Sequence, residues 1–530
     1  MLPHVVAHVE NVGTWLDRLA MRSPDRAALA DSDRTRSFAE LASRAARLAG
    51  WLGRAGIGRG DRVALLLGNR AAFVEAVFAC ARIGAIALPT NVRLAPPEIR
   101  HLFDDATPKL LLHEASLEER VEAACRLAAS PPASRLAVGG EPDAYEAAIA
   151  GEAEAPPAAG VGAEEPMLLL YTSGTTGAPK GALLPHRKTL YNCLNASRYF
   201  ELTAHDRVLV PLPLFHSFGL TIMTLPALHV GAFVRLERRF DAAATWARVE
   251  SERTTLLGAV PTMFQALLEA LEAASRKPDV SSLRFLFSAG AALSVDLIRA
   301  YQTRHGLLVK QGFGQTETSI LCCLDAEDAT RKAGSVGKPV FHADVRVVRR
   351  ELLERAPDAW QDCAPGEPGE IVVRGPITML GYWRRPDATA ETLRAGGWLR
   401  TGDIATVDPE GFVTLVGRAR DLYISGGENV YPAEVEAAYR EHPDLAEIAV
   451  VGVPDARWGE VGHAYVVLRP GVALDEPALR GFGEERLARY KLPARFFALA
   501  ELPRTVTGKV QKHLLVASPP ARGGAGSRRG

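Results

Sequence analysis

Cysteine, lysine, long apolar runs and an excess of either charge are what this 530-residue chain lacks. Its six cysteines, Cys80, Cys125, Cys193, Cys322, Cys323 and Cys363, form no C-x-x-C pair and no regular spacing. That excludes the disulfide framework of a small secreted scaffold and argues against structural zinc, so buried free thiols in a reducing compartment are expected. Lys plus Arg and Asp plus Glu number 62 each. No global field therefore draws the chain to nucleic acid or to an anionic membrane, and any anion site has to be local. The most apolar stretch, 71–88, is interrupted by Glu75, Arg82 and Gly84, so a span of ~20 clean apolar residues is not present. The opening MLPHVVAHVENVGTWLDRL carries early acidic residues and no long apolar core, which reads against a secretory signal. A cytoplasmic protein is expected. Only ten of the 62 basic residues are Lys. A lysine inside a glycine-rich motif is therefore conspicuous, because a compact point charge and a planar guanidinium do different work.

What is present is ample apolar material, 47% of the residues, spread over a length that exceeds one hydrophobic core and implies two or more domains. Apolar runs at 62–67, 85–88 and 109–112 read as strands and 71–81 and 97–105 as helices, a βαβαβ series. The pattern recurs after Asp206, with strands expected at 208–210, 233–236, 256–260, 283–287 and 307–309 and helices at 262–274 and 295–304. Strands separated by helices need crossover connections, so two wound α/β subdomains with mainly parallel sheets follow. Between them, AGEAEAPPAAGVGAEEP at 150–166 reads as a connector. From Glu367 the texture becomes glycine-rich and strand-like, implying a smaller β-rich subdomain, and after Arg420 a separate small α+β unit begins. The end, SPPARGGAGSRRG from Ser518, has the composition of a disordered tail whose arginines are solvated.

The most informative segment is YTSGTTGAPKG at 171–181, directly after an apolar run at 167–170. Glycines, hydroxyls and a lysine on a strand-ending loop let backbone N–H groups and side chains converge on phosphate oxygens without Cβ clashes. It is not a Walker A loop, which needs G-x-x-x-x-G-K-[ST], since Lys180 here lies between Pro179 and Gly181. Further motifs follow in order: PLPLFHSFG at 211–219, SAGAALS at 288–294, QGFGQTETS at 311–319, GWLRTGDIA at 397–405, GRARDLYISGGENVYPAEVE at 417–436 and PRTVTGKVQK at 503–512. Together these resemble the adenylate-forming superfamily of acyl-CoA synthetases, aryl-CoA ligases and luciferases, over nearly the whole chain except the tail.

The resemblance implies an enzyme that uses ATP, Mg²⁺ and coenzyme A to activate a small-molecule carboxylic acid through an acyl-adenylate. It places the phosphates against Thr172, Ser173, Gly174, Thr175, Thr176, Gly177 and Lys180. The adenine would lie between Phe313, with Gly312, Gly314 and Gln315 around it, and the backbone of Ala289, Gly290, Ala291 and Ala292. Thr316 and Glu317 supply oxygen ligands for a hard cation that keeps several waters. Asp403 takes the ribose hydroxyls with Arg418 as its cationic companion, and His216 stands as the gate between the ATP site and the acyl tunnel, with a satisfied structural histidine as the alternative. His186 also recurs in the family and is given no chemistry. Lys509 is the cation that bridges substrate carboxylate and α-phosphate, where charge gathers as pyrophosphate leaves.

The same resemblance implies an N-terminal domain over 1–417, a hinge over 418–421 centred on Arg420, a mobile cap over 422–516 and a tail over 517–530. Rotation about the hinge would exchange Lys509 for Gly426 and Gly427 beside the pantetheine arm. Relatives mostly carry Asp or Lys where Arg420 stands. Tyr490, Lys491 and Pro493 match a segment close to the path taken by CoA. No Asp or Glu occurs in PLFHSFGLTIM, which disfavours an amino-acid substrate, and the otherwise apolar lining leads to a medium- or long-chain fatty acid as first expectation, an aryl acid of the benzoate or cinnamate type as second. An enzyme loading a carrier protein and a non-catalytic nucleotide-binding relative are the competing classes. The CoA-type segment SGGENVYPAEVE disfavours the first of these, and intact Lys509, Glu317 and Asp403 the second.

Overall fold

The computed structural model describes residues 11–32, 34–158, 160–172, 179–291, 293–425, 428–505 and 510–517. Two large sheets dominate. One has seven strands in the spatial order Gly381–Tyr382, Lys180–Pro185, Pro166–Thr172, Ile86–Pro89, Arg62–Leu66, Leu110–Glu114, Ser134–Val138. The five from Pro166–Thr172 to Ser134–Val138 are parallel neighbours, and the two pairings beyond, of Pro166–Thr172 with Lys180–Pro185 and of Lys180–Pro185 with Gly381–Tyr382, are antiparallel. The strands Ile86–Pro89 and Leu110–Glu114 are buried at every residue, as parallel strands covered on both faces must be. Helices Ala71–Ile83 and Pro96–Ala106 make the crossovers. The first stops at Gly84, whose φ of +74° ends it in the left-handed region. The second begins with Pro96 at its first position and a Glu98 side chain accepting from the Ala95 N–H.

The other large sheet has nine strands, from Lys338–Pro339 through Ser319–Cys323, Val309–Gln315, Phe285–Ser288, Leu256–Ala259, Arg207–Val210 and Phe233–Leu236 to Ala27–Ala30 and Thr35–Ser37. Its centre is parallel and both edges are antiparallel. The expected strand at 233–236 and the helices at 262–274 and 295–304 correspond to Phe233–Leu236, Pro261–Ala273 and Val295–His305. One expectation is corrected. The strand expected at 307–309 runs instead as Val309–Gln315, continuing into the QGFGQ motif because it pairs on both sides. Ala27–Ala30, early in the chain, lies in this second sheet with Leu29 opposite Val234, a long-range pairing that local periodicity does not encode.

The β-rich unit begins at Asp344–Val348 rather than at 367, and that strand pairs antiparallel with Gly369–Arg374, which pairs with the ten-residue Trp398–Val407, itself paired with Val413–Arg418. Only the last two residues of Asp344–Val348 are fully buried, so its apolar alternation is too weak to announce a strand. The final unit is a sheet of Glu428–Val430, Tyr423–Ser425, Gly459–Leu468 and Leu445–Asp455, with Arg495–Ala498 parallel to Gly459–Leu468. Helices Pro432–Tyr439, Glu476–Glu484 and Lys512–Ala517 accompany it. It has its own core of Tyr423, Val435, Tyr439, Val450, Val466 and Phe496, as expected for an α+β unit after Arg420. The connector at 150–166 starts on the last residue of helix Ala144–Ala150 and holds no further regular element among its described residues before Pro166. The tail from Ser518 lies outside the described residues, and among those described no helix is long and apolar enough to cross a membrane.

Candidate active site

The strand ends converge on one cavity of about 1930 Å³ bordered by both large sheets, the β-rich unit and the final α+β unit. Thr172 and Lys180 sit opposite each other where Pro166–Thr172 and Lys180–Pro185 pair, so the phosphate-loop motif leaves and re-enters the sheet at one point, and both residues border the cavity. Ser173, Gly174, Thr175, Thr176 and Gly177 lie outside the described residues, as do Ala292, Gly426, Gly427 and Lys509.

The QGFGQTETS segment is shaped by backbone contact. A Cβ on Gly314 would fall 1.9 Å from the Ser319 carbonyl oxygen, and one on Gly312 would fall 2.6 Å from the Phe287 ring. Glycine is required at both for the strand to fold back on itself through Ser319, whose φ is +60°. The turn presents Gln315, Thr316 and Glu317 to the cavity, with Phe313 also on its wall beside Ala289, Gly290 and Ala291.

Asp403 is 5% exposed and sits opposite Arg418 in the register of Trp398–Val407 and Val413–Arg418. The Arg418 Nε lies 2.7 Å from the Asp403 Oδ1. Gln315 donates its amide to the Asp403 Oδ2 and to the Thr401 carbonyl oxygen at 2.8 Å. Three motifs distant in sequence thus meet on one carboxylate, which charge-assisted bonds fix in orientation. Arg420 borders the same cavity, 3.6 Å from Asp421, with burial pulling its guanidinium pKa down.

Glu317 accepts a 2.8 Å bond from the Tyr382 hydroxyl, and the Thr316 hydroxyl reaches that of Ser217 at 3.5 Å. Among the described residues no cluster of three His, Cys, Asp or Glu side chains is arranged to hold a metal. One carboxylate and one hydroxyl facing open space fit a Mg²⁺ ion that keeps waters and leans on substrate phosphates rather than one held in a protein cage.

His216 borders the cavity with its ring 4.6 Å from that of Phe215. Its Nε2 is buried and has no partner among the described residues, and burial, helped by Arg93, holds the imidazole down to about 4. It is a neutral ring at ordinary pH. His186 differs: its Nδ1 accepts the Val12 N–H at 3.1 Å, tying the early chain to helix His186–Tyr199, a structural duty.

Beyond His216 the wall becomes apolar, with Phe218, Ile222, Val260, Met263, Phe287 and Ile320. The Phe218 and Phe287 rings meet edge to face at 5.9 Å. Met223 packs against Gly258, where a Cβ would lie 2.7 Å from the thioether sulfur. On the other side a recess of about 790 Å³ carries Arg93, Arg120, Arg235, Arg238, Arg239 and Arg248 against Glu114 and Glu237 and shares Arg93, Arg238 and Arg239 with the main cavity.

On the α+β unit, Arg504, Thr505, Val510 and Lys512 all border the cavity, so the described residues flanking Lys509 on both sides face it. Arg504 pairs with Glu447 at 2.5 Å and Lys512 with Glu436 at 2.6 Å. Tyr490, Lys491 and Pro493 do not border it, and Lys491 is engaged by Glu434 at 2.5 Å.

Sequence reasoning passed over Tyr382, the arginine recess and Lys188, which is 2% exposed, donates to the Ser319 hydroxyl and is brought by burial down to about 7. The scarcity of lysine that marks Lys180 and Lys509 applies equally to Lys188 and was the available signal.

Comparison with known proteins agrees with this architecture. The family model described as AMP-binding enzyme matches residues 16–383, and that described as AMP-binding enzyme C-terminal domain matches residues 434–509. The chain is 42% identical over 506 residues to a feruloyl-CoA synthase of Amycolatopsis sp, covering 95% of this chain and 98% of the relative. It is 42% identical over 503 residues to an indoleacetate–CoA ligase of Aromatoleum aromaticum, covering 94% and 96%. It is 34% identical over 513 residues to a long-chain-fatty-acid–CoA ligase of Mycobacterium tuberculosis, covering 96% and 98%. Among solved structures, the o-succinylbenzoate CoA synthetase of Bacillus subtilis in complex with its acyl-adenylate intermediate superposes with a TM-score of 0.83 at 34% identity, covering 95% of this chain and 97% of that one.

Proposed function

The chain belongs to the family of AMP-binding enzymes, and from that membership we propose that it is an ATP-dependent acid–CoA ligase acting on an aromatic carboxylic acid. The substrate carboxylate attacks the α-phosphorus and pyrophosphate leaves; the CoA thiol then attacks the acyl carbon and AMP leaves. The observation that carries the reading is the cavity itself, which joins Thr172, Lys180, Gln315, Glu317 and Arg418 at one end to an apolar slot at the other.

Asp403, fixed by Arg418 and Gln315, has the acceptor geometry for two ribose hydroxyls. Phe313 offers a face to the base. Thr316 and Glu317 would hold Mg²⁺, whose charge offsets that of the triphosphate. Lys509 is the cation for the pentavalent phosphorus, supported by the placement of Arg504, Thr505, Val510 and Lys512 on the cavity wall. The neutral His216 ring separates nucleotide from acyl group without adding charge to a carboxylate that must remain nucleophilic. Rotation of the unit from 422 to 516 about the stretch 418–421 would open the same face to the thiol, and the arginine recess suits the phosphates of CoA.

The aromatic preference rests on the lining of the slot and on the relatives. Phe218 and Phe287 present flat rings and Met263 a polarisable thioether. The relatives acting on ferulate and indoleacetate have higher identity than the fatty-acid ligase. A fatty acid, the first expectation from sequence, is the second reading, supported by that ligase and by the apolar lining. ATP–pyrophosphate exchange across cinnamates, arylacetates, benzoates and fatty acids, followed by capture with CoA, tests both steps. Exchange strongest with an aryl acid and thioester formed with CoA is the expected result; preference for a fatty acid overturns the substrate class, and exchange with no acid overturns the enzyme.

A further inference from the structure

The segment 379–383 stitches two motifs together. The Met379 N–H donates to the Glu317 carbonyl at 2.8 Å, the Leu380 N–H to the Leu183 carbonyl at 2.8 Å and the Trp383 N–H to the Gly181 carbonyl at 2.7 Å. Tyr382 is therefore held in register opposite Ala182, on the strand that begins with Lys180. The Tyr382 N–H is itself bonded to the Thr389 hydroxyl at 2.9 Å, so helix Pro386–Thr392 fixes the residue from behind.

From this anchored position the side chain makes two contacts of different chemistry. Its hydroxyl donates to the Glu317 Oε1 at 2.8 Å, and the Lys180 Nζ lies 5.4 Å from the centre of its ring. We propose that Tyr382 is a positioning residue that sets the Glu317 carboxylate for the nucleotide-bound divalent cation through its hydroxyl and the Lys180 ammonium for the phosphates through its ring. The proposal rests on the metal and phosphate roles given to Glu317 and Lys180 above. The bond to Oε1 fixes the rotation of the carboxylate on the cavity wall, and loss of an outer partner of a metal ligand typically weakens metal binding about tenfold or more. A cation above a tyrosine face in a partly desolvated site contributes a smaller, separable effect, about two- to fivefold.

The full-length protein is titrated calorimetrically with ATP plus Mn²⁺ and with ATP in EDTA. Tyr382→Phe should weaken Mn²⁺–ATP binding about tenfold while leaving metal-free ATP within about twofold. Tyr382→Leu should also weaken metal-free ATP, because the ring is gone. Adding Tyr382→Phe to Glu317→Gln should cost nothing further if the hydroxyl acts through that carboxylate. Parental Mn²⁺–ATP affinity in Tyr382→Phe, equal loss with and without metal, or additive loss in the double variant overturns the proposal. Glu317→Gln alone identifies the origin of a failure: if it leaves Mn²⁺–ATP affinity intact, the metal role of Glu317 is wrong rather than that of Tyr382. Melting temperatures accompany every titration, and because Tyr382→Phe removes one oxygen from a side chain whose ring packing is kept, its comparison with the double variant stands even where Tyr382→Leu unfolds.

Discussion

Replacing Lys188 by Met should stabilise the protein at neutral pH and lose that advantage in alkali. Lys188 is fully enclosed, its ammonium donates to the Ser319 hydroxyl, and burial brings its pKa from 10.5 to about 7, with Glu317 opposing part of the drop. The unfolded chain thus binds more protons than the folded one between pH 7 and 10.5, and stability rises with pH across that window. At ~1.4 kcal/mol per pH unit, the burden at pH 7 is ~4 kcal/mol and by pH 9.5 it falls to ~1.4 kcal/mol. Methionine removes this burden and forfeits one hydrogen bond worth ~1 kcal/mol. The variant should therefore be more stable by ~3 kcal/mol at pH 7 and nearly equal to the parent at pH 9.5. Equilibrium urea unfolding of both proteins at the two pH values measures it. Thiols whose pKa burial pushes up, such as Cys80, titrate alike in both proteins and cancel in the difference. A stability gain independent of pH, or a loss at pH 7, refutes the reasoning.

Asp403→Asn leaves the Arg418 guanidinium, 2.7 Å away, without its anionic partner, and the KM for ATP in pyrophosphate exchange should rise about tenfold or more; an unchanged KM would put the ribose elsewhere. Gly314→Ala drives a Cβ to 1.9 Å from a backbone oxygen, and a loss of ~2–3 kcal/mol with collapse of exchange is expected, read from thermal melting and exchange together; a parental melting curve contradicts it. His216 and His186 are each held down to about 4 by burial, so the unfolded chain binds more protons between pH 4 and 6.5 and stability should fall on acidification through that range, by up to ~3 kcal/mol for each ring. Denaturation midpoints of His216→Asn and the parent compared at pH 7 and pH 5 test this: the variant should lose less on acidification, and an equal loss in both contradicts it.

The parallel centres of both large sheets were readable because strands such as Ile86–Pro89 and Leu256–Ala259, buried at every residue, carry no charged or polar side chain when covered on both faces. Asp403, Arg418 and Gln315, which the structure brings into contact, stood out in the sequence because phosphate and ribose chemistry needs hydroxyls, glycines and charges that a folding pattern alone does not call for. Asp344–Val348 escaped notice as a partly exposed strand with interrupted alternation. Tyr382 escaped because an aromatic beside glycine is more often packing than function, and its worth appears only when Glu317 and Lys180 converge on it from 65 residues and two hundred residues away in the chain, as its hydroxyl bond and its ring contact record.

The pairing of Leu29 with Val234 across the nine-stranded sheet sets an order on biosynthesis. When Ala27–Ala30 leaves the ribosome, its parallel partner Phe233–Leu236 has yet to be translated, and the short hairpin with Thr35–Ser37 is the sole pairing open to it. At ~5–20 residues per second this apolar tetrapeptide waits on the order of ten seconds or longer with one edge bare. A nascent chain arrested before residue 233 should therefore engage holdase chaperones, and one arrested well past 236 should release them.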